Sequence, residues 1–187
     1  MRLFVAIDLP DSVKQQLEEI VTELSTCRAD VRWVHSDSMH LTLKFLGNVA
    51  PQELVEIDRV LSRIVATTQP TQGRLRNVGS FPHLHRPRVL WIGVETDNGM
   101  LSSLQTDLDA ALAKIRFSKE DRRFRPHITL GRIRGNRRLS ALREAVEKQS
   151  GHKAGSFKIE HLTLFESRQR RGSTRYTALT THSFEVH

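Results

Sequence analysis

Two hydrophobic periods alternate along the chain. Leu3 to Ile7 is a continuous apolar run closed by Asp8, Leu9 and Pro10, and it predicts a buried strand. From about Asp11 to Thr26 the apolar residues Val13, Leu17, Ile20, Val21 and Leu24 fall at helical spacing on one face, with Asp11 or Ser12 placed to cap the first turn. Val31 to Val34 is short and β-prone. His40-Leu41-Thr42-Leu43 then alternates polar with aliphatic residues and predicts a strand ending at Gly47. By that alternation Leu41, Leu43 and Phe45 face the core, and His40, Thr42 and Lys44 share the other face. Pro51 suits the start of a second helix with Leu54, Ile57, Leu61, Ile64 and Val65 inward, and a strand at Arg74 to Val78 follows.

The same order then restarts. Val89 to Val94 is an apolar strand, and Leu101, Leu104, Leu108, Ala111 and Ile115 mark a helix. His127-Ile128-Thr129-Leu130 repeats the alternating motif. Leu139, Leu142, Ala145 and Val146 mark another helix, and Phe157 to Phe165 predicts one further strand. Leu3 to His40 and Leu90 to His127 both span 37 residues, and adding 87 to Leu3, His40, Leu41, Thr42 and Leu43 gives Leu90, His127, Ile128, Thr129 and Leu130. The chain therefore reads as an internal duplication of strand, helix, histidine strand, helix and strand. The expected fold is α+β: two lobes with pseudo-two-fold symmetry, mainly antiparallel sheets forming a central cleft, and helices outside. One domain over 1–187 is expected, with repeats at about 1–80 and 88–167 and a C-terminal extension at 168–187. Symmetry would make equivalent strands face each other across the cleft and bring His40 and His127 into one site.

Charge narrows the partners. Lys and Arg number 29 against 21 Asp and Glu, a net charge of +8, which favours a polyanion and nucleic acid first. The excess is clustered: Arg116, Lys119, Arg122, Arg123 and Arg125 precede the second histidine motif, Arg132, Arg134, Arg137 and Arg138 follow it, and Arg168, Arg170, Arg171 and Arg175 form a third group. No apolar run is long enough to span a bilayer, and Met1 to Leu9 is too short for a signal peptide. The one cysteine, Cys27, can form neither an internal disulfide nor a thiolate metal site and fits a reducing cytoplasm. A cytoplasmic location, no membrane association and a monomer are expected, since internal symmetry already supplies both histidines.

Histidine titrates nearest neutrality, so a pair can divide proton transfer, one imidazole activating water and the other protonating a departing oxygen. Thr42 and Thr129, each two residues on, could hydrogen-bond the non-bridging oxygens of a phosphate between them. Lys44 and Arg132 could neutralise charge that grows in the transition state. A phosphodiester is the substrate that needs these parts.

The two H-x-T-x motifs resemble those of the two-histidine phosphoesterases. Phe4-Val5-Ala6-Ile7, Lys44-Phe45-Leu46-Gly47, Arg88 through Val94, Leu164-Phe165-Glu166-Ser167 and Tyr176 narrow the resemblance to the bacterial and archaeal RNA 2',3'-cyclic phosphodiesterases, also called 2'-5' RNA ligases. The resemblance covers nearly the whole chain. It implies metal-independent hydrolysis of a 2',3'-cyclic phosphate at an RNA 3' end to a 2'-phosphate, with reversible 2'-5' ligation as a companion reaction and no cofactor. It makes His40 the proton donor to the leaving 3' oxygen, His127 the acceptor from water, Thr42 and Thr129 the phosphate-binding residues, and Arg132 their assistant. A near-symmetric site can run either way, and ligation exchanges the two roles. Lys44, Phe81 and Arg125 complete the expected substrate-binding set, and the substrate class includes tRNA fragments.

His161-Leu162-Thr163-Leu164 spells the motif a third time, but subtracting 87 sets His161 opposite Arg74 in a closing strand, so it is expected to stand outside the site. His35, His83, His85 and His152 add possible metal ligands, without the acidic or thiolate partners that metal sites usually draw on. The rival class is a non-catalytic RNA or nucleotide binder, in which Phe81, Phe117 and Phe124 stack bases. No phosphate-cradling glycine loop is present, which disfavours an ATP-driven ligase.

Overall fold

The computed structural model describes residues 1–149, 151, 153–170 and 173–185; His152 and Arg171, both named above, lie outside these. In chain order the elements are β1 (Arg2–Ile7), α1 (Asp11–Ser25), β2 (Val31–Trp33), β3 (Leu41–Asn48), α2 (Leu54–Val65), β4 (Thr71–Phe81), β5 (Val89–Thr96), α3 (Met100–Ala113), β6 (His127–Ile133), α4 (Leu139–Lys148), β7 (Lys153–Ile159), β8 (His161–Arg170) and β9 (Ser173–Ser183). Each helix buries the stripe its sequence carries: Val13, Leu17, Ile20 and Leu24 in α1, Ile57, Leu61 and Val65 in α2, Leu101, Leu104 and Leu108 in α3, Leu142 and Val146 in α4. These stripes join Leu3, Val5, Ile7, Leu41, Leu90, Ile92, Ile128 and Leu130 in one core beneath the sheet. Neither Asp11 nor Ser12 caps α1; Pro10 holds the N-cap position in extended conformation, and its carbonyl accepts from the Val13 and Lys14 amides at 3.0 Å.

Among the described residues all nine strands belong to one antiparallel, curled sheet, in the order β7-β4-β5-β6-β3-β1-β8-β9, with β2 added to β6. The equivalent strands β3 and β6 do not face each other across a gap. They are neighbours, joined at Leu41 and Ile128. These two residues are 87 apart, so the local two-fold runs between them.

The lobes are not simply the two halves of the sequence. One lobe is β3-β1-β8-β9 and the other β6-β5-β4-β7, so each half sends its closing strand to pair with the first strand of the other half. That exchange explains why the run Phe157–Phe165 is two strands and not one. Glu160 separates β7, which pairs with β4 at one edge, from β8, which pairs with β1 near the other. The closing strand of the first half is also longer than Arg74–Val78, extending to Phe81. Most of the expected C-terminal extension is in the sheet, as the end of β8 and as β9.

The spacing of 87 holds for the histidine strands but not for the first strands. Leu41 is level with Ile7, and Ile128 with Ile92, a separation of 85. Leu3 and Leu90 are therefore not structural equivalents, because the connection in the second half is two residues longer.

Candidate active site

Leu41 and Ile128 are both fully buried. The residues flanking each must then point to the opposite face of the sheet, because strand side chains alternate. His40, Thr42, His127 and Thr129 accordingly share that face, each half-buried, in a group related by the local two-fold. The sequence predicts this constellation from two distant motifs, and a single strand pairing assembles it.

Backbone carbonyls fix both rings in the same way. His40 Nδ1 lies 2.9 Å from the Ser38 carbonyl and His127 Nδ1 2.6 Å from the Arg125 carbonyl, in each case two residues back along the chain. A carbonyl can only accept, so Nδ1 carries the hydrogen, and Nε2 is the atom each imidazole has left for a substrate.

Aromatic side chains wall the two rings. Phe4 lies 4.7 Å from His40 between ring centroids, Tyr176 meets it edge-on at 5.0 Å, and Phe165 lies at 6.1 Å. On the other side Phe81 meets His127 edge-on at 4.9 Å and Trp91 lies at 6.4 Å. The Trp91 ring covers Gly79, where a Cβ would fall 2.5 Å from its Cζ2.

This apolar setting disfavours charged imidazole. Burial pushes His40 down from 6.5 to about 4; the Ser38 carbonyl and Asp8 oppose this, and a charge on His127 adds to it. Burial also lowers His127, with the Arg125 carbonyl opposing and the Arg132 charge reinforcing.

Matching irregularities in β3 and β6 decide what surrounds the four residues. Val5 and Ala6 pair with Lys44 and Thr42, passing over Leu43; Leu90 and Trp91 pair with Gly131 and Thr129, passing over Leu130. Such a bulge reverses the facing of everything after it. Lys44 is consequently buried, its Nζ 2.5 Å from Asp109 Oδ1 and 2.6 Å from the Ser118 carbonyl, and it does not reach the cleft. Phe45, expected in the core, is 61% exposed and stands 6.0 Å from Phe4. Its equivalent 87 residues on is Arg132, also exposed. The site thus carries an aromatic ring on one side and a guanidinium at the corresponding place on the other.

Among the remaining expected residues, Phe81 is at the site, and Arg125 is exposed beside it with its carbonyl on His127. Phe117 and Phe124 pack against the core. His161 is half-exposed near Glu160, and Thr163 is buried against Thr181. His83 and His85 sit in an exposed loop, and His35 is exposed beside Asp37. Phe45 is the cleft residue that sequence reasoning misplaces.

The family model described as the 2'-5' RNA ligase superfamily matches residues 9–171. Curated relatives include the RNA 2',3'-cyclic phosphodiesterase of Archaeoglobus fulgidus, 35% identical over 89% of this chain and 91% of that protein. That of Thermotoga maritima is 38% identical over 72% of this chain and 71% of its own. Among solved structures, TT0787 of Thermus thermophilus superposes with a TM-score of 0.81 at 30% identity over 98% of both chains. E. coli LigT in complex with 3'-AMP superposes at 0.77 with 27% identity, over 98% of this chain and 97% of that one.

Proposed function

Because the chain belongs to the 2'-5' RNA ligase superfamily, we propose that its histidine pair hydrolyses RNA 2',3'-cyclic phosphate ends to 2'-phosphate ends without a metal ion. The observation that carries this reading is the shared tethering of the two imidazoles. Both rings have Nδ1 bound to the carbonyl two residues before, which leaves Nε2 free, and each shares its sheet face with a threonine two residues on. The activity is that of an RNA 2',3'-cyclic phosphodiesterase, as the relatives are named.

The chemistry follows from those atoms. His127 Nε2 accepts a proton from water as the water oxygen forms a bond to phosphorus. The bond from phosphorus to the 3' oxygen breaks, and protonated His40 Nε2 donates to that oxygen, leaving a free 3' hydroxyl and a 2'-phosphate. The Thr42 and Thr129 hydroxyls donate to the non-bridging oxygens, and the exposed Arg132 guanidinium balances their charge. Phe45 and Phe81 offer faces for bases on the two sides of the site.

His40 is the more strongly neutralised imidazole in the free protein. It can serve as the acid because an anionic phosphate beside it favours its charged form. With an RNA 5' hydroxyl in the place of water, the same steps bond its oxygen to phosphorus, release the 3' oxygen and join the two ends in a 2'-5' linkage. The fold's internal two-fold supplies both histidines from one chain, which fits a monomer.

The test is an RNA oligonucleotide ending in 2',3'-cyclic phosphate, with chelator present. The expected product carries a 2'-phosphate. A 3'-phosphate product would overturn the assignment of the leaving oxygen, loss of activity in chelator would overturn metal independence, and tight binding without turnover would make the chain a non-catalytic RNA binder.

A further inference from the structure

The two halves anchor the segment leading into their histidine motifs differently. In the first half, residues 31–33 form β2 and are held by a ladder to β6, with Trp33 opposite Gly131. Adding 87 gives residues 118–120, which form no strand. The residue equivalent to Gly131 is Lys44, and its ammonium takes the place of that ladder. It donates to the Ser118 carbonyl and to Asp109 of α3, and Asp109 in turn accepts from the Glu120 amide at 3.2 Å. Among the described residues these are the only hydrogen bonds that fasten 118–124 to the rest of the chain.

Lys44 is fully covered from solvent. A buried ion pair contributes little or nothing to stability compared with apolar residues of similar volume, so stability alone does not account for it. What the pair does is hold a segment off β3 as a loop, over a hollow of about 400 Å³ lined in part by Gln105, Asp109, Arg122, Arg123 and Phe124. The loop's Lys119, Arg122, Arg123 and Arg125 are exposed, and none has a carboxylate within salt-bridge distance among the described residues. Unpaired exposed cations at this density fit a chain of phosphates.

We propose that Lys44 is a positioning residue, holding the basic loop 118–125 as a docking surface for the backbone phosphates of an RNA strand whose end lies at the two histidines. The proposal rests on the reading of the site as an RNA cyclic phosphodiesterase and specifies its substrate as a polynucleotide. His127 does not depend on the bracket, because the Val94 amide separately holds the Pro126 carbonyl at 3.1 Å. Loosening the loop therefore weakens capture of RNA and leaves the chemical step alone.

The test replaces both partners, Lys44→Met with Asp109→Leu, so that no buried charge is left unpaired. KM and kcat are measured on a single-stranded RNA with a 2',3'-cyclic phosphate end and on a 2',3'-cyclic mononucleotide, which is too short to reach the loop. The expected result is an RNA KM raised roughly tenfold, kcat kept, mononucleotide kinetics kept, and a salt dependence shallower by about 0.7 for each phosphate the loop no longer binds. An unchanged RNA KM and salt slope would overturn the proposal, and so would an equal loss on both substrates. Should the double variant fail to fold, Arg122→Ala with Arg123→Ala asks the same question from the surface, and an unchanged RNA KM there overturns it too. If the unmodified protein turns over neither substrate, the phosphodiesterase reading itself has failed, which is a different result.

Discussion

Replacing His40 with asparagine should alter how the fold responds to acid, by an amount that follows from the site. The imidazole is enclosed by Phe4, Phe165 and Tyr176, and its pKa falls from 6.5 to about 4. In the unfolded chain it binds a proton near 6.5, whereas in the folded chain it does not until about pH 4. Between those values the unfolded state holds more protons, so stability rises with pH in that window and is lost as pH falls through it. At 1.36 kcal/mol per pH unit, moving from pH 6.5 to 5 should cost the wild type about 2 kcal/mol, and reaching pH 4 about 3 kcal/mol. An asparagine side chain does not titrate, and the variant loses this contribution. The measurement is urea unfolding of wild type and His40→Asn at pH 7, 6, 5 and 4, taking the stability difference between the two proteins at each pH. Any fixed effect of the substitution cancels in the trend, as do the titrating groups that do not act on His40; the charges that do, Asp8 and His127, are smaller influences on it than burial. The gap should move by about 2 kcal/mol in favour of the variant between pH 7 and 5. Parallel curves would show that the site does not hold His40 neutral, and the electrostatic account of the pair would fall with them.

Other outcomes follow from the same geometry. His40→Ala and His127→Ala should each lower turnover by roughly 10²- to 10⁴-fold, while His161→Ala, half-exposed outside the site, should keep both activity and stability; comparable losses in all three folded proteins would refute the choice of motif. Since both imidazoles are lowered, the pH optimum of kcat/KM should fall below 6.5 and that of kcat, which reports the phosphate-bound state, should lie higher; coincident optima at or above 7 would contradict this. Gly79→Ala should destabilise by about 1–3 kcal/mol, because its Cβ meets the Trp91 ring; an unchanged denaturation midpoint would show that the ring moves freely. Phe45→Ala should leave stability nearly unaltered while weakening RNA-end binding by about 1–3 kcal/mol, and identical affinities would remove Phe45 from the site.

Much of the site was legible because its information is local. Alternation placed Leu41 and Ile128 inward and the His-Thr pairs outward, and duplication related the two motifs. The fate of Lys44 and Phe45 was not local. The bulge that passes over Leu43 belongs to the pairing of β3 with β1, and alternation read along one strand cannot report a residue its neighbour skips. The break at Glu160 was hidden for a related reason. Apolar residues continue on both sides of it, and only the separate destinations of β7 and β8 require a break. Phe165 and Tyr176 reach His40 from β8 and β9, through pairings more than a hundred residues apart in sequence. Their presence in the sequence was plain, but their neighbour was not.

The exchange of closing strands bears on how the molecule comes into being. β1 and one of its two neighbours in the sheet, β8, are made about 160 residues apart. The first half cannot complete its sheet and wait for the second. Ordered structure at β1 must remain provisional until β8 is present, and such distant pairing makes folding slow. Until then the edge of β1 is open to any other strand that meets it. The symmetry that sets two imidazoles side by side is thus reached late and all at once, and a nascent chain holds both motifs before it holds a site.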